Sequence, residues 1–179
     1  MNKKIYFIRH AKSVGNVNNE LHQADDSKLH EEGIDQAAKV LNRLSHLEFN
    51  TIISSDYVRC KETAEAITAI SKQEIVYNQL LRERGEHESF ADFCKRVIEA
   101  KIYIESLESK RVIIIGHGQW MKMFLACLMH KNSPTEEEYV FVHKFFRVVN
   151  TGVCVFNHNT EGDYIGWQLK SWNEHGHLE

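Results

Sequence analysis

Short apolar runs alternate with longer amphipathic stretches along the chain, a pattern typical of proteins in which strands and helices alternate. The run at residues 3–9 (KKIYFIR) and the run at 111–116 (RVIIIG) predict buried strands. The second is apolar at nearly every position, as expected for a strand that is covered on both faces of a sheet. Shorter runs predict the remaining strands, the last two as a hairpin, at 51–54, 75–77, 151–157 and 164–170.

Apolar residues spaced three and four positions apart predict helices between the strands. Two such helices cover residues 90–107 and the segment that follows Gly116. Another begins after Gly33, with these residues predicted on its buried face: Ile34, Ala37, Ala38, Leu41, Leu44 and Leu47. The aromatic residues within 140–149 are predicted to pack into the core rather than to form an interface.

Capping residues predict where two further helices begin. Ser54 or Ser55 can cap a helix that follows the second strand, because a serine hydroxyl accepts from the free N–H groups of a first helical turn. Ser133 is a predicted N-cap, with Pro134 at the first helical position and Glu136 as its capping-box partner.

This order of elements predicts an α/β fold: a three-layer α/β/α sandwich around a mostly parallel central sheet. The chain has 179 residues, of which 42% are hydrophobic, enough for a sizeable core. A single proline and an even spread of charge give no sign of a linker. Residues 1–179 are therefore predicted to form one domain.

Composition and charge indicate which partners and which cellular compartment to expect. The formal net charge of −3 gives no electrostatic reason to expect nucleic acid or an anionic membrane as a partner. No apolar stretch reaches the roughly 18 residues that a membrane span needs, and the N-terminus lacks a secretory apolar region. The four cysteines form no CxxC pair, which favours reduced thiols and a cytoplasmic protein. The oligomeric state stays open.

Sequence motifs of several other chemistries are absent from the chain. No cysteine has an arginine six positions later, and there is no GxxxxGK[ST] phosphate loop. Neither the zinc motif HExxH nor the serine elbow GxSxG occurs. No metal site and no cofactor are predicted.

Ionisable residues follow each of the four strands that are predicted to be parallel. His10 comes directly after the first strand, with Arg9 beside it. Arg59 lies in the first turn of the helix that follows the second strand. Glu83 lies in the loop after the third strand, and His117 comes directly after the fourth. Each residue alone is more typical of a structural role. Because ligands of α/β sheets bind beyond the carboxyl ends of parallel strands, the four positions together predict a functional site.

The motifs around these residues resemble one known family. Residues 9–16 (RHAKSVGN) are similar to the RHG-x-[ST]-x-x-N signature of the histidine phosphatase (phosphoglycerate mutase-like) superfamily. Further stretches resemble that superfamily in the same order: Leu29 to Ala37, Ser54 to Ala64, Leu81 to Glu83 and Gly116 to Gly118. The resemblance extends over residues 5–125 and includes an ending at 172–178, and it implies a phosphoglycerate mutase-like fold.

The resemblance also implies roles. His10 is the implied nucleophile that forms a phosphohistidine, with a backbone carbonyl of the following loop as the expected partner that fixes its tautomer. Glu83 is the implied proton donor, with Glu86 and Glu88 as alternatives. His117 is a further implied catalytic residue, adding positive charge if its surroundings protonate it. The implied phosphate-binding residues are Arg9, Asn16, Arg59 and His117.

The chain departs from the family pattern at a few positions. Ala11 replaces a common glycine, while Gln119 and Lys122 replace residues of the usual GHGG-x-x-R. The loop at 17–28 and the charged turn at 84–90 are expected to set specificity.

The shortness of the segment after Glu83 bears on the reaction. Only a few residues separate Glu83 from the next predicted helix, so the insertion that covers the site in many family members is nearly absent. An open site favours a phosphatase acting on a small phosphorylated metabolite or a phosphoprotein. A mutase, which must shield its intermediate from water, is one alternative. A catalytically idle member that binds a phosphorylated ligand or a partner protein is another.

Overall fold

A computed structural model describes residues 2–20, 25–69 and 73–179. Its strands are β1 (Lys3–Arg9), β2 (Thr51–Ser54), β3 (Ile75–Tyr77), β4 (Arg111–Gly116), β5 (Val153–Asn159) and β6 (Gly166–Glu174). Its α-helices are α1 (Val14–Val17), α2 (Glu31–Leu44), α3 (Val58–Thr68), α4 (Phe90–Ser106), α5 (Gly118–Met129) and α6 (Glu136–Phe145). Short 3-10 turns cover Gln79–Leu81 and Gly176–Leu178.

The strands form one sheet in the order β3-β2-β4-β1-β5-β6. Strands β3, β2, β4 and β1 are parallel, and β5 runs antiparallel to both β1 and β6. The predicted mostly parallel sheet and the C-terminal hairpin are therefore confirmed. In the register of the central pair, Arg9 lies opposite Gly116. The residues that follow these two positions, His10 and His117, consequently leave the sheet side by side.

Helices cover both faces of this sheet, which confirms the three-layer sandwich. Because side chains alternate along a strand, Phe7 points to the face covered by α4, α5 and α6, while Tyr6 and Ile8 point to the face covered by α2 and α3. On the first face the rings of Phe7 and Phe124 lie 4.9 Å apart, and Trp120 stacks on Phe124 at 5.4 Å. This aromatic cluster anchors the start of α5, directly behind His117.

The buried face of α2 differs from the predicted one. The helix buries Gly33, Gln36, Ala37, Val40 and Leu44. Ile34, predicted to be buried, is 62% exposed, and Ala38 is exposed as well. Ala37 and Leu44 are buried as predicted, and the prediction was wrong for Ile34 and Ala38. The reason is that Gly33 and Gln36 pack against the loop after β1, where the Gln36 amide oxygen accepts from the Lys12 backbone N–H at 3.0 Å. A polar contact thus sets the rotation of the helix.

Both predicted caps were also misplaced. The N-cap of α3 is Tyr57 instead of a serine, although Ser55 Oγ does accept from the Tyr57 N–H at 3.4 Å. The N-cap of α6 is Thr135, which forms a capping box with Glu138, two positions beyond the predicted pair. Both pairs fit the same S/T-x-x-E pattern, and the sequence alone does not separate them.

The aromatic residues of α6 are only partly in the core. Phe141 and Phe145 are 52% and 71% exposed, and their rings lie 4.5 Å apart on the outer face of the helix. The prediction that these aromatics pack into the core was wrong for this pair, and Val142 on the opposite face is fully buried.

A substitution at Gly33 tests the packing between α2 and the loop after β1. A Cβ added at Gly33 would lie 2.0 Å from the carbonyl oxygen of Lys12. We expect Gly33→Ala to lower the free energy of unfolding by about 2–3 kcal/mol, because the backbone of one segment must move, even though alanine normally favours a helix by about 1 kcal/mol. Urea denaturation measures this. Gly176→Ala is the control, since its Cβ meets nothing within 4 Å. Equal stabilities for the two variants would contradict the prediction.

Candidate active site

His10 lies at the carboxyl end of β1, almost completely buried at 2% exposure. Its backbone N–H donates to the Gly116 carbonyl at 2.9 Å, and its ring centroid is 5.2 Å from that of His117. The Nδ1 atom is 2.8 Å from the carbonyl oxygen of Ala11. Since a carbonyl only accepts, Nδ1 carries the proton and the lone pair is on Nε2. The predicted backbone carbonyl partner is thus Ala11.

The surroundings of His10 keep its imidazole neutral. Burial lowers the pKa of His10 well below its usual value, and the charges of Arg9 and Arg59 lower it further, against the opposing hydrogen bond to Ala11. A neutral imidazole with a fixed tautomer has a free nitrogen lone pair at neutral pH. This is the state that a nucleophile requires.

The guanidinium groups of Arg9 and Arg59 lie close enough to His10 to lower its pKa. Arg9 Nη1 donates to the Val148 carbonyl at 2.7 Å. Arg9 Nε is buried, and no residue in the described ranges accepts a hydrogen bond from it. Arg59 is 2% exposed and lies over the Tyr57 ring at 4.9 Å. A buried donor without an acceptor is costly, and an anion bound beside Arg9 would satisfy it.

The Glu83 side chain contacts the N-terminal end of α5 from the loop that follows Gln79–Leu81. Its half-buried carboxylate accepts from the Trp120 N–H at 3.0 Å and from the Gln119 N–H at 3.3 Å. Burial raises the pKa of Glu83, while these two hydrogen bonds and the charges of Arg9 and Arg59 oppose the rise without cancelling it. The carboxyl group therefore keeps its proton to a higher pH than an ordinary glutamate.

The two alternatives to Glu83 occupy other environments. Glu88 forms an ion pair with Arg96 at 2.6 Å and accepts from the Gly85 N–H at 3.2 Å. Glu86 is exposed. Of these three carboxylates, Glu83 is the one at the end of the sheet where the histidines lie, which favours it as the acid.

Arg96, on α4, holds the backbone around Glu83 and was missed by the sequence reasoning. Its Nη1 donates to the carbonyls of Leu80 and Arg82 at 3.1 and 2.7 Å, and its Nη2 donates to the Glu83 carbonyl at 3.3 Å. An arginine inside a helix carries no motif that would reveal this role, because its partners are thirteen to sixteen positions away.

His117 is fully buried at the end of β4. Arg59 Nη2 lies 3.4 Å from its Nδ1, and Ser55 Oγ lies 3.0 Å from its Nε2. Since a guanidinium only donates, Nδ1 accepts and Nε2–H donates to Ser55. Burial lowers the pKa of His117 well below its usual value, followed by the charges of His10, Arg59 and Arg9. These surroundings therefore favour the neutral form of His117.

Asn16 lies in α1, and three donors fix its side-chain oxygen. That oxygen accepts from the Ser13 N–H, the Ser13 hydroxyl and the Asn150 amide, each at 3.1 Å. The Asn16 NH₂ group forms no hydrogen bond within the described part of the chain and is oriented by these contacts. Asn150, also missed, donates to the His10 carbonyl at 2.9 Å as well. It joins the two segments across 140 residues of sequence.

The segments expected to set specificity are only partly described. Of the loop at 17–28, residues 21–24 lie outside the described residues. Residues 84–89 alone connect Glu83 to α4, so the short connection is confirmed.

The described residues contain neither a cluster of metal ligands nor a helix that could span a membrane. Among residues 2–20, 25–69 and 73–179, no three His, Cys, Asp or Glu side chains cluster as metal ligands would. None of the helices in those ranges has the length and apolar character to cross a membrane.

Known proteins share both the sequence pattern and the fold. Residues 5–86 match the model of the histidine phosphatase superfamily (branch 1). A broad-specificity phosphatase of Saccharomyces cerevisiae is 27% identical, over 77% of this chain and 75% of its own. A probable phosphoglycerate mutase of Escherichia coli is 34% identical, but over 45% of this chain and only 37% of its own.

A solved structure extends the likeness over the whole fold. It is a mutant of phosphoserine phosphatase from Entamoeba histolytica in complex with phosphoserine. It superposes with a TM-score of 0.82, covering 99% of this chain and 100% of its own at 21% identity. At that identity the likeness establishes the fold.

Proposed function

We propose that this chain is a phosphatase of the histidine phosphatase superfamily, whose model matches residues 5–86, and that it hydrolyses phosphomonoesters through a phosphohistidine on His10. The observation that carries the proposal is the state of His10: a neutral imidazole whose Nδ1–H is held by Ala11, whose Nε2 forms no hydrogen bond within the described residues, and whose pKa the charges of Arg9 and Arg59 lower. The two guanidinium groups would bind the phosphoryl oxygens.

In the first step the Nε2 lone pair of His10 attacks phosphorus. A P–N bond forms and the P–O ester bond breaks, while negative charge spreads over the equatorial oxygens. Arg9 and Arg59 stabilise that charge, and the oriented NH₂ group of Asn16 adds a donor. Glu83 transfers its proton to the leaving oxygen, for which its raised pKa suits it.

In the second step water hydrolyses the phosphohistidine. Glu83, now a carboxylate, takes a proton from the attacking water, the new P–O bond forms, and the P–N bond breaks. His10 returns to its neutral form, and inorganic phosphate leaves with Glu83 protonated again. The same residue thus serves as acid and then as base.

His117 is proposed to respond to the bound phosphoryl group. A dianion on the Arg59 side of the ring favours a proton on Nδ1, which then donates to a phosphoryl oxygen. The Nε2–H group keeps its hydrogen bond to Ser55 Oγ at 3.0 Å, so both ring nitrogens then carry protons and the ring is an imidazolium. The positive character expected of His117 would therefore arise with substrate.

The short connection at 84–89 supports hydrolysis over transfer between two positions of a substrate. Few residues are available there to shield a phosphohistidine from water. The substrate is proposed to be a small phosphorylated metabolite or a phosphoprotein, bound without a cofactor. Residues 1–179 are proposed to act as one domain in the cytoplasm, where the four unpaired cysteines stay reduced.

A panel of phosphomonoesters in ¹⁸O-labelled water tests the proposal. We expect the wild-type protein to release inorganic phosphate that contains one oxygen from water. Interconversion of 2- and 3-phosphoglycerate without net phosphate release would instead identify a mutase. A folded protein that turns over no member of the panel would favour the phospho-ligand-binding alternative.

A further inference from the structure

Lys122 is a half-buried lysine on α5 whose ammonium group has no ion pair and no hydrogen bond within the described residues. Partial burial lowers the pKa of Lys122; the charge of Arg9 lowers it further, and that of Glu83 raises it. Lys122 is therefore electrostatically coupled to both. The phosphoryl contacts described above do not use it, so its charge has no assigned partner.

The geometry of α5 places Lys122 above the leaving-group side of the site. A Cβ at Gly118 would lie 3.5 Å from Arg9 Nε, and the Gln119 N–H binds Glu83. Lys122 follows these residues by four and three positions, so it lies one turn further along the same helix face. Helical side chains lean toward the N-terminus, which directs Lys122 back toward Glu83.

Other groups on this side are also suited to an anion. The charge of Arg147 contributes to lowering the pKa of Arg9, after burial and the charge of Arg59. The Tyr139 hydroxyl, on α6, is buried and has no hydrogen-bond partner among the described residues. Burial and the charge of Glu83 raise the pKa of Tyr139, so it keeps its proton. The carboxylate of Glu83, which also lies on this side, is already bound by the backbone N–H groups of Gln119 and Trp120.

We propose that Lys122 binds a second anionic group, a carboxylate or a second phosphate, carried by the leaving alcohol. This inference rests on the proposed function, since Glu83 marks the leaving-group side only if it protonates the leaving oxygen. An ammonium group is a compact charge with three donors, and it recovers its desolvation cost when it meets an anion. The enzyme is then selective for phosphomonoesters of acidic alcohols.

Matched substrates test the proposal. The first pair is 3-phosphoglycerate and glycerol 1-phosphate, in which a hydroxymethyl group replaces the carboxylate. The second pair, fructose 1,6-bisphosphate and fructose 6-phosphate, tests a second phosphate. We expect wild-type kcat/KM to favour the acidic member of one pair by about tenfold or more, and Lys122→Met to reduce that ratio about tenfold. Lys122→Arg should retain the preference, and Lys144→Met, at an exposed position of α6, is the control.

A binding measurement separates this inference from the proposed function. Isothermal titration calorimetry compares the same substrates on His10→Ala protein with and without Lys122→Met, and it needs no turnover. A weaker preference for the acidic member in the double variant supports the proposal even if the wild type hydrolyses nothing. Equal ratios with and without Lys122, in kinetics or in binding, overturn it. So does a wild type that prefers neither acidic member.

Discussion

Replacing His10 with alanine is expected to lower kcat/KM for phosphomonoester hydrolysis by at least about a thousandfold, because the imidazole that forms the covalent intermediate is then missing. His10 is a neutral imidazole whose Nδ1–H donates to the Ala11 carbonyl, which leaves the lone pair on Nε2, and the charges of Arg9 and Arg59 act on the ring. His117 cannot replace it, since its Nδ1 already accepts from Arg59 and its Nε2 contacts Ser55. Any residual rate would come from binding and electrostatic stabilisation alone.

Trapping the intermediate gives a second readout of the same variant. Wild-type protein quenched in base during turnover should carry one phosphoryl group on the peptide that contains His10, and His10→Ala should carry none. His46→Ala is a matched control, because His46 is exposed beyond the end of α2. The thermal midpoint of each variant shows whether it has folded. A folded His10→Ala protein with wild-type activity, or a phosphopeptide that lacks residue 10, would contradict the assignment.

The parts of the fold and of the site that depend on short sequence patterns could be predicted from the sequence. The strand 111–116 is continuous and apolar, and 3–9 precedes the first signature motif, so both were placed correctly. Their parallel pairing follows from the α/β pattern, and it brings His10 and His117 together. Glu83 was preferred over its neighbours by its motif, and the backbone contacts at α5 support that choice.

The sequence could not predict what depends on distant partners. Asn150 and Arg96 act through hydrogen bonds to segments that are far away along the chain. The rotation of α2 depends on a contact between Gln36 and Lys12. The charge of His117 depends on burial together with neighbouring cations, which no motif encodes. Each of these is a property of the assembled fold.

Glu83→Gln is expected to slow the reaction to an extent that depends on the leaving group. Glutamine keeps the shape of the side chain but cannot transfer a proton. For an alkyl phosphate, whose alkoxide needs a proton, the rate should fall by about 10²- to 10⁴-fold. For p-nitrophenyl phosphate the first-turnover burst should change little, because nitrophenolate leaves without a proton. Glu86→Gln, at an exposed neighbouring position, is the control and should leave both substrates unaffected.

The pH dependence of the alkyl substrate tests the same role of Glu83 from another side. The reaction needs Glu83 protonated, so the rate falls as pH rises through its pKa, and because burial raises that pKa the fall lies nearer to neutral pH than for an ordinary glutamate. The reaction also needs neutral His10, whose lowered pKa moves the acid limb to lower pH. Wild-type activity should therefore peak at mildly acidic pH. In Glu83→Gln the falling limb should vanish, since the group that titrates is gone. A falling limb that persists in the variant, or an equal loss for alkyl and nitrophenyl substrates, would mean that Glu83 positions α5 and is not the proton donor.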